Sequence, residues 1–450
     1  MSTDRPYWNM SIEPFLNTAE MKKLQLEKLK IMLRRLYVNA PFYKKRIDDA
    51  KLDIERLNSL GDYSKAIPIY DKKLYRQRVD ECGGDLIRLI DEELPCSIHD
   101  LIMISSTTGT TGEPQPYPFT YNDVYNMWGE YLCRGAWRAG LRKEDIVLHA
   151  FALSMVIAGV SIVMGIQKMG VTVLPVGAEV GTDRVLKIAS YFKPSAFMGT
   201  PSLASYLVDV AEEKIGRSTK SLGIKKLFCA GESGAGIPGI RKKLEDGFGA
   251  KVFDFGAALG MSCDHSEYQG MHNLTDDIAI YELVDPDTKE PIKLEDGARG
   301  ELVLTVIEGD GQAYLRKSMG DIHEVMVSPC PCGKTGFRYK VAGRVDDMLK
   351  VKGIIVYPEA VSNLLQRFVP KITGEFRLVL TERPPLVVPP LKIKLEMGVN
   401  YPKDRLEALE NELLDEFHRK MTIRPRIIWV EPGDLERSTY KGAKFEKLYK

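Results

Sequence analysis

Between Asp100 and Asp254 short apolar runs alternate with stretches of helical periodicity, and this alternation restricts the fold more than any other feature. The strand-like runs are Ile102–Ser105, Ile146–Leu153, Val171–Val176, Ala196–Met198, Lys226–Cys229 and Lys251–Phe253. Strands joined through helices run parallel, and a parallel sheet needs helices on both faces. The spacing therefore predicts an α/β fold on a mainly parallel sheet. The segment Ile146–Ile166 is apolar enough to pass for a membrane span. Asp145 and Lys168 bracket it, and Gly170 closes it before the next strand. It divides better into a strand Ile146–Leu153, a helix Ala158–Met169 and a strand Val171–Val176. No membrane association is expected.

The style of the chain changes elsewhere. Thr18–Asp48 reads as one charged amphipathic helix, with Leu24, Leu26, Leu29, Ile31 and Met32 among lysines and arginines. After Leu274, Ile278–Leu283 and Glu301–Val306 flank a turn-rich stretch and predict antiparallel strands of a β-rich subdomain. Beyond Gly343, Tyr357–Phe368 and Arg405–Lys420 read as helices and Phe376–Leu380 and Leu391–Leu395 as strands, a small α+β module. A chain of 450 residues exceeds one hydrophobic core. The expected division is a large domain, 1–343, and a small mobile one, 344–450. With 63 basic and 62 acidic residues, no global field recruits nucleic acid or an anionic membrane. Seven cysteines, an odd number, argue against a disulfide scaffold, and no secretory signal opens the chain. The cytoplasm is the expected compartment.

Three motifs carry chemistry. Ser105–Gly112 is an unbroken run of Ser, Thr and Gly directly after a strand. Such a run cannot pack a core, but its N–H groups and hydroxyls suit phosphate oxygens. It is not the GxxxxGK[ST] loop, since no Lys-Ser/Thr pair follows, and a surface linker has the same composition. Gly343–Gly353 (GRVDDMLKVKG) suggests a turn between domains, though by composition alone it is an ordinary hairpin, and Leu435–Lys444 (LERSTYKGAK) is a basic C-terminal stretch that, read in isolation, is a solvated tail.

Taken together, these motifs resemble the adenylate-forming ligase superfamily of acyl-CoA synthetases, luciferases and adenylation domains, and in particular its phenylacetate–CoA ligase-like branch. Asn39–Lys45 (NAPFYKK), Gly199–Ser202 (GTPS), Cys229–Ser233 (CAGES) and Cys330–Thr335 (CPCGKT) extend the resemblance along essentially the whole chain. It implies an enzyme that uses ATP and magnesium to activate a small-molecule carboxylic acid, aromatic by the small and apolar pocket candidates. The acyl group then passes to coenzyme A. A homodimer is admitted.

The resemblance also assigns residues. Thr107, Thr108, Gly109, Thr110, Thr111 and Gly112 would wrap the ATP phosphates, although Glu113 stands where the family often has Lys. Gly231 and Glu232 would line the adenine and acyl pockets, with Asp254, Phe255 and Gly256 forming the adenine segment. Leu259 replaces the family's magnesium-binding Glu, with Asp264 or Glu267 as substitutes. Asp321 would accept the ribose hydroxyls, Arg344 would contact ribose or phosphate, and Asp346 would be the hinge. Lys441, with Lys444 as fallback, would bridge carboxylate and α-phosphate. Phe151, Ala152, Ile157, Ala158, Gly199, Thr200, Gly256 and Ala257 are the acid-pocket candidates. Some relatives hold structural zinc near Cys263, His272, Cys330 and Cys332; here His265 competes with His272, and a loop of reduced cysteines is the alternative. His99, His149, His323 and His418 have no partners at the spacing of a triad. Rival readings keep adenylation but transfer to an amine or a carrier-protein thiol, or leave a silent nucleotide-binding protein.

Overall fold

The computed structural model describes residues 5–107, 114–256, 260–351, 354–385, 387–435 and 444–449. Strand β1 (Leu101–Thr107) was expected to open the parallel sheet, but it pairs antiparallel with β2 (Gln115–Thr120) in a separate two-stranded hairpin. Pro116 and Pro118 occupy alternate positions of β2. They remove the N–H donors along one edge, so β2 can pair on one side only.

The other runs build one twelve-stranded sheet. Its parallel half comprises β3 (Ile146–His149), β4 (Thr172–Pro175), β5 (Ala196–Gly199), β6 (Lys226–Cys229) and β7 (Lys251–Gly256), in the order β4-β3-β5-β6-β7. Successive residues face opposite sides, as the strand period requires. Val147, Met198, Phe228 and Phe253 pack under the helices Gly129–Arg138 and Val160–Gln167. Leu148, Phe197, Leu227 and Val252 pack under Thr182–Phe192, Pro201–Ile215 and Pro238–Phe248. The apolar run from Ile146 thus forms a βαβ unit, with its helix trimmed to Val160–Gln167. The trimming has a steric cause: a Cβ at Gly159 would lie 2.5 Å from the Ala152 carbonyl oxygen, so backbone folds tightly on backbone ahead of the helix. No helix among the described residues is long and apolar enough to cross a membrane.

At β8 (Gly260–Ser262), which pairs antiparallel with β7, the sheet turns antiparallel and continues so through β9 (Met271–Asn273), β10 (Ala279–Val284), β11 (Pro291–Ile292), β12 (Arg299–Val306), β13 (Lys317–Met326) and β14 (Arg338–Arg344). The expected β10–β12 pair is present, Ala279 opposite Val306. The N-terminal helices pack on this half: Leu29, Leu33, Leu36, Tyr43 and Tyr63 share a core with Ile280, Ile307 and Leu315. The single helix expected over Thr18–Asp48 is two, Ala19–Asn39 and Pro41–Asp49. Pro41 drives Ala40 out of the helical region (φ −113°, ψ 99°) and starts the second helix.

From Leu349 onward a second core forms, drawn only from residues in that part of the chain. It joins β15 (Leu349–Val351), β16 (Ile354–Val356), β17 (Ile372–Leu380), β18 (Lys392–Met397), β19 (Arg426–Val430) and β20 (Phe445–Lys447) to the helices Pro358–Leu365 and Leu406–Met421. The larger of its two sheets runs in the order β19-β18-β17-β20.

Candidate active site

A cavity of about 1400 Å³ opens between the ends of β6 and β7, the strands β13 and β14, and the C-terminal module. Gly231 (φ +88°) and Gly256 (φ +111°) line it in a backbone region that glycine alone adopts freely, so bare main chain faces the cavity there. Between them in sequence, Asp254 accepts a hydrogen bond from the Tyr268 hydroxyl at 2.6 Å and donates its own N–H to Ser262 Oγ at 2.9 Å. Burial pushes its carboxyl up to about 6, although the Tyr268 bond and Arg241 pull the other way. Phe255 meets Phe151 edge-on, with ring centroids 6.0 Å apart. The Glu232 carboxylate accepts the N–H of Ser202 at 2.8 Å, in the first turn of Pro201–Ile215.

Asp321 and Arg344 are direct cross-strand partners on β13 and β14, and the guanidinium donates to the carboxylate. The Asp321 charge holds the Arg344 guanidinium above its ordinary range. Two residues on, Asp346 lies in a single turn, Val345–Asp347, and binds Lys72 Nζ at 2.7 Å. Lys444 lines the cavity with its ammonium 3.8 Å from Glu359. Thr107 ends β1 at the cavity edge. Thr108, Gly109, Thr110, Thr111, Gly112, Glu113, Ala257, Leu259 and Lys441 lie outside the described residues.

Several expectations need correction. Of the acid-pocket candidates, Ile157, Ala158 and Gly256 line the cavity, whereas Phe151, Ala152, Gly199 and Thr200 do not. Phe151 is consumed by core packing, and the Thr200 hydroxyl caps a helix by accepting the Leu203 N–H. Neither Asp264 nor Glu267 lines the cavity; Asp264 pairs with Lys334 at 3.2 Å. Sequence reasoning missed Tyr268, which follows the adenine segment by a dozen residues and returns to it only through the fold. It also missed Lys317, a buried cation in the cavity wall.

Cys263, His272, Cys330 and Cys332 converge, with their ligand atoms all within 4.8 Å of one another. His272 directs Nε2 at Cys332 Sγ (3.4 Å) while Nδ1 bonds the Thr335 carbonyl oxygen (2.9 Å). A carbonyl on the second ring nitrogen is the arrangement that orients a metal-ligating imidazole. His265 is turned away, its Nδ1 accepting the Glu267 N–H at 3.1 Å. Three thiols and one imidazole satisfy the donor set of a closed tetrahedral zinc site.

Comparison with known proteins agrees with this layout. The phenylacetate-coenzyme A ligase of Thermus thermophilus is 28% identical over 93% of this chain and 92% of its own. A 2-hydroxyisobutyryl-CoA ligase bound to its acyl-AMP in the postadenylation state superposes with a TM-score of 0.88, at 25% identity over 99% of this chain and 93% of that one. The same ligase in its thioesterification state gives 0.70, at 26% identity over 100% of this chain and 94% of that one. Residues 22–309 match the AMP-binding enzyme family and residues 353–446 the AMP-binding enzyme C-terminal domain. The chain belongs to the AMP-binding enzyme family.

Proposed function

We propose that this enzyme activates an aromatic carboxylic acid as its acyl-adenylate and transfers the acyl group to coenzyme A. The observation that carries the reading is one cleft, shared by both modules, that gathers Gly231, Phe255, Gly256, Asp321, Arg344 and Asp346. Asp321 accepts both ribose hydroxyls, two donors that suit one carboxylate, while Arg344 fixes that carboxylate from the neighbouring strand. Phe255 and the bare backbone at Gly256 form the adenine floor, with Glu232 and Asp254 at its margins. Thr107, at the cavity edge, begins the segment Thr107–Gly112 assigned to the phosphates by family resemblance.

In the first half-reaction a carboxylate oxygen of the acid attacks the α-phosphorus, the bond to pyrophosphate breaks, and pyrophosphate departs with the electron pair. Lys441 and the Thr107–Gly112 donors meet the charge that builds on the phosphoryl oxygens. In the second, the thiolate of coenzyme A attacks the acyl carbon and AMP leaves. The mixed anhydride is reactive without a side-chain nucleophile. The module 344–450 turns about Asp346 against 1–343 between the two steps, which removes Lys441 and admits the thiol. The nearer likeness to a postadenylation state supports placing the present arrangement between them.

Magnesium, when bound, neutralises triphosphate charge. The position that ligates it in relatives is Leu259 here, and no ligand set is assigned to this chain. Zinc in the Cys263–His272–Cys330–Cys332 site would be structural. Seven free thiols suit a reducing, cytoplasmic setting.

The test is acid-dependent pyrophosphate release across aryl-acetic and benzoic acids, followed by thioester formation on adding coenzyme A. ATP binding without release for any acid would make the protein a silent nucleotide binder. Release without a thioester would point to an amine or carrier-protein acceptor.

A further inference from the structure

The cavity wall holds a buried lysine that the adenylation chemistry does not use. Lys317 opens β13, with its backbone fixed on both sides by Leu304 of β12 and by a bridge to Tyr70. The residue is 5% exposed and lines the cavity. Its ammonium stands 3.7 Å from the ring centre of Tyr314 and 5.0 Å from that of Tyr117. Among the described residues it has no hydrogen-bond or ion-pair partner. Glu93, whose field reaches it, is already bonded to the Tyr70 hydroxyl at 2.8 Å and lies 3.6 Å from Arg78. Burial pushes the lysine down to about 8, a measure of how poorly its charge is compensated.

Two further donors beside it are unspent. The Tyr314 hydroxyl and Gln312 Nε2 are buried and have no partner among the described residues. The orientation of Gln312 follows from chemistry: its Oε1 accepts from Trp128 Nε1 at 3.4 Å, and an indole can only donate. The trio borders an aromatic and apolar wall, since Tyr117, Tyr314, Trp128 and Ile157 share one packed cluster. Asp321 lies four residues along β13, up to about 13 Å away at the rise of a strand. The aromatic and apolar character of this wall suits the organic acid, and the ribose end of the nucleotide is assigned to Asp321 further along β13.

We propose that Lys317, Tyr314 and Gln312 bind a second carboxylate on the substrate, so that this enzyme's substrates are aromatic dicarboxylic acids activated at one carboxyl group. The inference rests on the acid-activation reading above and names the substrate class of that site. A carboxylate offers two acceptor oxygens and a negative charge, and one ammonium with two unpartnered donors among the cavity-lining residues matches both. An acid lacking the group leaves an ammonium and two polar groups buried and unpaired, which is how a polar site rejects an apolar analogue.

The experiment compares phenylacetate with 2-, 3- and 4-(carboxymethyl)benzoate in acid-dependent pyrophosphate release. Wild type, Lys317→Met and Tyr314→Phe are measured side by side. At least one dicarboxylate should exceed phenylacetate in kcat/KM by about tenfold or more, chiefly through KM. Lys317→Met should erase that preference and Tyr314→Phe should reduce it, with the KM for ATP unmoved in both. Tyr314→Phe also keeps the test decisive if Lys317→Met does not fold. A preference for phenylacetate in wild type overturns the proposal. So does a raised KM for ATP in Lys317→Met with the acid preference intact, which would assign the lysine to a phosphate. If no acid drives pyrophosphate release, the acid-activation reading is what fails. Calorimetric binding of the three carboxymethylbenzoates then decides the site by itself: tighter binding to wild type than to Lys317→Met supports it, and equal binding refutes it.

Discussion

Removal of Lys72 should shift the balance between the two half-reactions without harming either active-site constellation. Lys72 begins the helix Lys72–Glu81 and holds Asp346, the proposed pivot, at 2.7 Å. If Asp346 changes conformation when the small module turns, this ion pair breaks on leaving the present arrangement. Both side chains are nearly half exposed, 42% and 45%, which places the pair in the weak surface class. Such pairs contribute about 0.2–1 kcal/mol, so Lys72→Met should move the conformational balance by about 1.4- to 5-fold. Single-turnover measurements read the two steps separately: adenylate formation from acid and ATP, and thioester formation from preformed acyl-adenylate. The ratio of the second rate to the first should rise by that factor at low salt. In wild type, roughly 1 M salt should reproduce most of the effect by screening the pair, and the variant should be insensitive to it. A ratio unchanged at low salt, or a salt response that survives in Lys72→Met, would refute the reasoning. A weaker affinity for ATP in the variant would show instead that Lys72, which also lines the cavity, holds nucleotide.

Metal analysis of purified protein should find about one zinc per chain, and Cys332→Ser should abolish it. Chelation should lower the thermal midpoint more than it lowers ATP affinity, and a metal-free protein of full stability would leave the four residues as packing. Lys441→Ala should abolish acid-dependent pyrophosphate release while ATP still binds; full activity there, with Lys444→Ala inactive, would move the role to Lys444. Asp254 has a folded-state carboxyl raised to about 6 against an unfolded value near 4, so the folded form holds the proton more tightly. Its contribution to stability is therefore fully present below about pH 4 and is lost as pH rises through about 6. Asp254→Asn should flatten that part of the stability curve, measured by urea midpoints across the range; an unaltered slope would count against the burial argument.

What could be read from the sequence depended on how local the signal was. Cys263, His272, Cys330 and Cys332 were proposed as a set through family resemblance, and the fold brings their ligand atoms together. The competition from His265 is resolved by the fold: His272 Nδ1 bonds the Thr335 carbonyl oxygen, whereas His265 bonds within its own loop. The parallel strands announced themselves through apolar runs, but β1 did not reveal its antiparallel partner. The deciding signal there was Pro116 and Pro118 in the neighbouring strand rather than anything in β1 itself. Pro41 was a local signal passed over in favour of the charged, amphipathic pattern on either side of it. The roles proposed for Asp321, Arg344 and Asp346 come only through family resemblance. That two of them face each other across β13 and β14 is a property of register, which spacing alone does not determine.

The docking of the N-terminal helices on the antiparallel half has a consequence for how the polypeptide is made. Arg46 donates to the Leu315 carbonyl across 269 residues, Tyr63 meets the Thr305 hydroxyl at 2.9 Å, and Thr335 Oγ1 donates to the Glu13 carbonyl across 322 residues. Leu29, Leu33 and Leu36 are fully buried in a core to which Ile280, Ile307 and Leu315 contribute. A nascent chain leaves the ribosome with these helices first and their partners far behind. At about 5–20 residues per second, the segment waits roughly 14–57 s for Leu315 to emerge, its apolar stripe open to water and to other chains. These helices are therefore among the last parts to settle, and dependence on chaperones should be concentrated there.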